Sequence, residues 1–324
     1  MASEMKTGLV LLILIGVSSA LGSIIAPTTF YNLRGFQLLL FLLLLNMTLC
    51  VVRTLTGYIK QYNNRGAKQQ YYPRKLGILL IHLGFIGILL GATLNVYYGQ
   101  STQIAILKGN QLDTADVITS KAPFMLQLDD FRVEFNPDGS PAQYYSDMTV
   151  LENGSIKEKG SISVNNPLQY KDIKFYQQDY GYVVKGKYPN DKGKEIEAQL
   201  AEGSILEIPG TKRVMKVLQY APDFDPNRGL NQTTGRADNP RIIFSVSENN
   251  QLLEIGAARF NEKIDIDNNT AMYFIGVEPY TVLKVKSDPG LPLTFAGGLM
   301  FVWGLALTLL FKPVNVKPKG IMIG

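Results

Sequence analysis

One cysteine, one histidine and one tryptophan in 324 residues leave this chain few ways to do chemistry unaided. The single cysteine, Cys50, excludes an intrachain disulfide and a dithiol redox pair, so an exported part must be held by its own core. Lying in an apolar run, the thiol reads as a small buried apolar side chain. The single histidine, His82, excludes a zinc-spaced Cys/His set and leaves no other base for a serine or cysteine nucleophile. No glycine-rich phosphate loop is present, and no Cys-x-x-Cys-His, so the chain is not itself a c-type cytochrome. Acidic residues are missing from residues 53–75, which carry Arg53, Lys60, Arg65, Lys68, Arg74 and Lys75. That stretch accounts for the formal charge of +5, and the remainder is close to neutral. The charge is therefore local, and argues against a nucleic-acid surface.

Charge is missing altogether from residues 7–25, 35–52, 76–98 and 291–311. A helix of about 20 such residues spans the hydrocarbon of a bilayer. The expected fold is an integral membrane protein: four transmembrane α-helices, with a large exported, mainly-β domain inserted between the third and fourth. By domain, 1–98 holds three spans with the basic loop 53–75, 99–288 is the β-rich domain, and 289–324 holds the last span and a short tail. A short basic loop between two spans marks the cytoplasmic side. Tyr58, Tyr62, Tyr71 and Tyr72 flank it as an aromatic belt, and Lys312, Lys317 and Lys319 follow the last span on the same side. Both termini are thus expected in the cytoplasm, and 99–288 on the outer face of the inner (cytoplasmic) membrane. Lys6 before the first apolar run, with Ser18-Ser19-Ala20 near its end, also resembles a cleavable signal. Glu4 is unusual in such a leader, and the first span reads as retained. Asn46, a polar residue at membrane depth, is expected to bond to a neighbouring helix.

His82 stands inside the third span. An imidazole in hydrocarbon is costly and ordinarily faces a cavity or a partner, which makes it a functional candidate. The alternative is a structural histidine bonded to a neighbouring carbonyl. At about 100° per residue, Ile78, Leu79, Phe85, Ile86 and Leu89 share its side, while Gly84 and Gly91 fall opposite. Glycines at 84, 87 and 91, and at 297, 298 and 304 in the last span, allow another helix to come close. Trp303, deep in that span, reads as core or lipid-facing rather than as a stacking platform. Counted from Leu76, His82 lies about 9 Å along the helix, in its cytoplasmic half.

The block 99–288 reads as β structure. Strands are expected at 124–128, 131–135, 144–151, 161–164, 173–178, 182–187, 214–219, 242–246, 272–277 and 281–285, with turns at Asn136-Pro137-Asp138-Gly139 and Asn153-Gly154. Asp129-Asp130 reads as a turn between two of them, and 223–240 as a long exposed loop. Short strands at close spacing suggest a sandwich or an open barrel.

Three blocks resemble the ResB/CcsB-type cytochrome c biogenesis proteins of system II. They are IHLGFIGILLGATLNVYYGQSTQIAILKGN from Ile81, FMLQLDDFRVEFNPDGSPAQYYSDMTVLENG from Phe124 with ISVNNPLQYKDIKFYQQDYG from Ile162, and DPGLPLTFAGGLMFVWGLALTLLF from Asp288. The resemblance implies a non-autonomous subunit of a membrane heme-transport and cytochrome c synthase complex, working with a ResC/CcsA-type membrane protein. Heme b would be moved outward and joined to the two thiols of an apocytochrome c, with thioredoxin-like thiol-reducing proteins as further partners. It also implies that the third-span histidine is an axial heme ligand, here His82. Phe85, Ile78, Ile86 and Leu89 beside it would offer the apolar surface that a heme edge needs. A second imidazole would have to come from another chain. The reading of a different class is a non-catalytic membrane anchor displaying a β-rich binding domain.

Overall fold

The computed structural model describes residues 2–25, 30–63, 72–119, 122–190, 192–228 and 234–311. Arg65, Lys68, Tyr71, Lys312, Lys317 and Lys319 lie outside the described residues, as do the side chains of Glu4, Tyr58, Lys60, Tyr62 and Tyr72. Contacts divide the chain into a helical unit, drawn from Met1–Gly99 and Asp288–Gly324, and a β unit, Gln100–Ser287.

The helical unit consists of α1 (Ala2–Ile25), α2 (Arg34–Asn63), α3 (Tyr72–Tyr98) and α4 (Leu291–Leu310). All four are long and apolar enough to cross a membrane. Most of their large side chains point outward, Trp303 being 66% exposed. That places Trp303 outside the core of the helical unit. Cys50 is half-buried rather than buried. α2 runs well past Val52, where the apolar run ends. Charge marks the end of the hydrocarbon, while the helix continues because no proline interrupts it; the Thr54 and Thr56 hydroxyls bond back to the Cys50 and Arg53 carbonyls at 2.7 and 3.0 Å. Asn46 is buried, with its Oδ1 2.8 Å from where a Cβ would stand on Gly8 of α1.

α3 and α4 touch through backbone. A Cβ on Gly84 would come within 2.6 Å of the Gly297 carbonyl, and one on Gly297 within 2.6 Å of the Gly84 carbonyl. The same reciprocal clash holds for Gly77 with Gly304 and for Gly91 with Gly290. The seam is two antiparallel glycine heptads, 77-84-91 against 304-297-290, a spacing that keeps one face of each helix toward the other. Gly298, expected on this face, meets nothing within 4 Å, and Gly77 and Gly290 take their places in it. At one end of the seam, Asn95 Oδ1 accepts the Gly290 N–H at 2.7 Å.

The β unit is two sandwiches that share one sheet. Its two longest strands, β7 (Ile173–Pro189) and β14 (Ala271–Ser287), are antiparallel partners from Ile173↔Ser287 to Lys187↔Tyr273. β1 (Gln100–Leu107) and β6 (Leu168–Tyr170) flank one end of the pair; β13 (Lys263–Asp265) and β8 (Glu195–Ala201) flank the other. A sheet in the order β2 (Gln111–Asp113), β3 (Met125–Phe135), β4 (Pro141–Glu152), β5 (Ser155–Ile162) covers the first end. The second is covered by β12 (Gln251–Ala258), β11 (Arg241–Glu248), β10 (Arg213–Ala221), β9 (Ile205–Glu207). Each cover encloses its own core, one built on Leu126, Leu128, Ile162 and Phe175, the other on Met215, Ile242, Ile266 and Phe274.

Several expected strands merge. Residues 173–178 and 182–187 are one strand, as are 272–277 and 281–285. The apparent breakers, Gly181 and Glu278-Pro279-Tyr280, lie opposite one another in the register, with the Tyr280 ring against Gly181 where any Cβ would collide. Bulges between Phe274 and Gly276 and between Val282 and Leu283 absorb the irregularity. Likewise 124–128 and 131–135 form the single strand β3, and Asp129-Asp130 is a bulge rather than a turn. β1, β2, β6, β8, β9, β12 and β13 were not expected as strands. The turns at residues 136–139 and 153–154 stand where the sequence puts them; of the loop 223–240, residues 229–233 lie outside the described residues.

Candidate functional site

The site is built on α3. Pro73 stands in its first turn, where the missing N–H has no helical partner to lose, and the turn Tyr72-Pro73-Arg74-Lys75 is already helical. His82 therefore lies about 15 Å from the start of the helix and about 9 Å from Leu76, in the first half of α3. Its ring is half-buried, and Nδ1 is 2.7 Å from the Ile78 carbonyl one turn back.

That bond is the one a structural histidine would make, and it also fixes the ring chemistry. A carbonyl oxygen only accepts, so Nδ1 is the donor of this bond, and Nε2 is the nitrogen left for another partner. Iron-ligating imidazoles are held this way, with the non-ligating nitrogen donating to a carbonyl. Ile78, Phe85, Ile86 and Leu89, at i−4, i+3, i+4 and i+7, lie on the same helix face and are all half-buried. No group of three His, Cys, Asp or Glu residues suited to a metal ion occurs among the described residues. The donor set fits one axial position of a heme iron and no more.

Of these residues only Leu89 also lines the cavity of about 230 Å³ between α2 and α3, with Gln37, Leu40, Phe41, Leu44 and Thr93 among the others. That volume falls below the roughly 300–1,000 Å³ of sites that bury a drug-sized ligand. His82 itself does not line this cavity. Gln37 and Thr93 were not anticipated; nothing in the sequence joins two polar residues so far apart. In the β unit, Asp129 and Asp130 are tied into the sheet. Thr149 and Gln127 donate to Asp129 at 2.5 and 3.0 Å, and Lys108 donates to Asp130 at 2.7 Å. The hydrogen bond from Lys108 holds the Asp130 carboxyl below its ordinary range.

Residues 66–277, which include His82 and most of the β unit, match the family model described as ResB-like. The chain belongs to the ResB-like family. Curated relatives include the cytochrome c biogenesis protein CcsB of Picosynechococcus sp., 25% identical over 269 residues, 77% of this chain and 54% of that one. The cytochrome c biogenesis protein Ccs1 of Porphyra purpurea is 25% identical over 244 residues, 72% of this chain and 52% of that one. This ResB-like chain spans about half the length of the curated relatives it matches. Among solved structures, the cytochrome c heme lyase CcmF aligns with 92% of this chain and 34% of its own, at 12% identity and a TM-score of 0.33, too low to carry a likeness of fold.

Proposed function

We propose that this ResB-like chain is the heme-handling, non-autonomous subunit of a system II cytochrome c maturation complex, with His82 supplying one axial ligand to a transient heme b. The observation that carries this reading is the commitment of Nδ1 to the Ile78 carbonyl, which leaves Nε2 free on one face of a spanning helix. Bound heme would supply the group that an apocytochrome c receives on its two thiols. The chain's own residues hold and orient it. The Ile78 carbonyl fixes the tautomer and turns the ring, while Ile78, Phe85, Ile86 and Leu89 offer an apolar bed that excludes water. For a bis-histidine site the second imidazole would come from a ResC/CcsA-type partner, since His82 is the one histidine in this sequence. We place the basic stretch 53–75 and both termini in the cytoplasm and the β unit outside the inner membrane, where it handles the apocytochrome or scaffolds the partner, alongside thioredoxin-like thiol-reducing proteins.

Co-purification with the partner tests the ligand. The complex should carry a low-spin heme spectrum; His82→Ala should lose it, and cytochrome output with it, while the complex stays assembled. Added imidazole should restore part of both. Normal heme content and normal maturation in His82→Ala would return His82 to a packing role, and leave the chain a membrane anchor for its β unit.

A further inference from the structure

Sheet edges expose unpaired backbone N–H and C=O groups, and proteins ordinarily shield them by shortness or charge. Most edges of the β unit follow that rule. β2, β6, β9 and β13 have three residues each, β5 presents Lys157, Glu158 and Lys159, β8 presents Glu195 and Glu197, and β1 shows Ser101 and Gln103 to solvent. β12 breaks it. Eight residues long, it pairs only with β11 among the described residues, and its Leu252, Leu253 and Ile255 are 58%, 49% and 61% exposed. A bulge leaves Leu253 unpaired between the Ser247–Leu252 and Val246–Glu254 pairs, and Leu252 through Ile255 are all exposed. Only from Gly256, under the Phe244 ring, to buried Ala258 does the strand join the core. Glu254 is its one charge.

The far end of this strand is basic. Arg241 and Arg259 follow the Ile242–Ala258 pair on the two chains and line one cleft. Like charges brought close repel. Neither guanidinium forms an ion pair among the described residues. Arg241 Nη1 donates to the Pro240 carbonyl at 2.9 Å, and Glu262 Oε2 accepts from the Arg259 backbone N–H at 2.7 Å. The two arginines, with Phe260, Asn261 and Glu262, line a cleft of about 480 Å³. Burial, and after it the charge of Arg259, lowers the pKa of Arg241.

We propose that β12 is a docking edge for an extended apolar polypeptide segment, added as a further strand, with a carboxylate at the end that meets Arg241 and Arg259. Strand addition gives affinity through main-chain hydrogen bonds and specificity through alternate side chains. Three exposed side chains on one short strand fall well short of the roughly 1,200 Å² buried by a stable interface, which favours a transient segment over a second copy of this chain. The inference rests on the proposed handling of an unfolded polypeptide by this unit, but not on His82.

The test uses the full chain in detergent and a fluorescein-labelled peptide of alternating valine and threonine ending in two aspartates, read by anisotropy. The parent should bind it saturably. L253D/I255D should bind at least about tenfold more weakly with its melting unchanged. R259E should also lose affinity, and should regain it toward the same peptide ending in two lysines. Should L253D/I255D fail to fold, the charge swap at Arg259 decides alone. Absence of saturable binding, equal binding by L253D/I255D, or indifference of R259E to the peptide's terminal charge would overturn the proposal. So would a concentration-dependent dimer that L253D/I255D abolishes, which would make the occupant a second copy. His82→Ala should leave peptide binding unchanged, so the edge and the heme ligand can fail separately.

Discussion

The helical unit and the β unit are put together inside out with respect to one another. In the β unit the large apolar side chains are buried, and glycine is used where a ring must lie on a strand, as Tyr280 does at Gly181. In the helical unit leucines and Trp303 face outward, and glycines occupy the closest contact. Water drives the first arrangement, because burying apolar area is favourable. Lipid tails are as apolar as leucine, so only close backbone approach and polar bonds hold the second. A residue's meaning therefore depends on its solvent: an exposed leucine on α4 needs no partner, whereas Leu253 on β12 does.

Truncating a core ring should break the β side of this comparison most severely. Phe175→Ala or Phe274→Ala should cost about 3–5 kcal/mol, since each ring is fully buried. Each should act on its own sandwich. Hydrogen exchange is expected to lose protection around β3 and β4 for Phe175→Ala, and around β10 and β11 for Phe274→Ala. Uniform loss in both would mean that the shared strands β7 and β14 make one cooperative body.

The helical side breaks by the opposite change. Gly84→Leu or Gly297→Leu should destabilise the α3–α4 pair by at least 1–3 kcal/mol, because the added atoms meet backbone that cannot move aside. Engineered cysteines across the seam should stop cross-linking, while Gly298→Leu, which meets open space, should leave cross-linking intact. A smaller effect, confined to the β unit, is expected in alkali. Burial pushes the Tyr180 and Tyr182 phenols up to about 12, their rings 5.8 Å apart where the two cores meet. A group whose folded pKa is raised stabilises the fold below its unfolded pKa, and that contribution is lost as pH climbs toward the folded value. The β unit should hold up to about pH 10 and weaken between there and about 12, as followed by phenolate absorbance. Helical circular dichroism should persist through the same range.

Much of the helical unit was legible in the sequence, because absence of charge over a span is a long signal that needs no partner to be read. The ends of the helices were not: α2 and α3 run on through polar residues that leave the hydrocarbon without leaving the helix. Gly84, Gly87 and Gly91 announced a contact face, yet its heptad register emerges only when Gly77 extends that row and Gly290, Gly297 and Gly304 stand opposite it. In the β unit the misreadings share one cause. Gly181, Pro279 and Asp129-Asp130 look like turns one at a time, and become strand only through partners more than a dozen residues away. His82 stood out by being single. Its tautomer did not, since that depends on where the Ile78 carbonyl points.

The pairing of Gln100 with Ser287 has an architectural consequence. Neighbouring strands lie about 4.8 Å apart, so the β unit starts and finishes at nearly the same place. On the helical side, Asn95 holds the Gly290 N–H at 2.7 Å, and the hairpin of α3 and α4 is fastened at its own tip. Each piece is thus closed before the other is considered. The whole of β1 to β14 is one continuous insertion in the sequence between α3 and α4, with its first and last strands paired to each other.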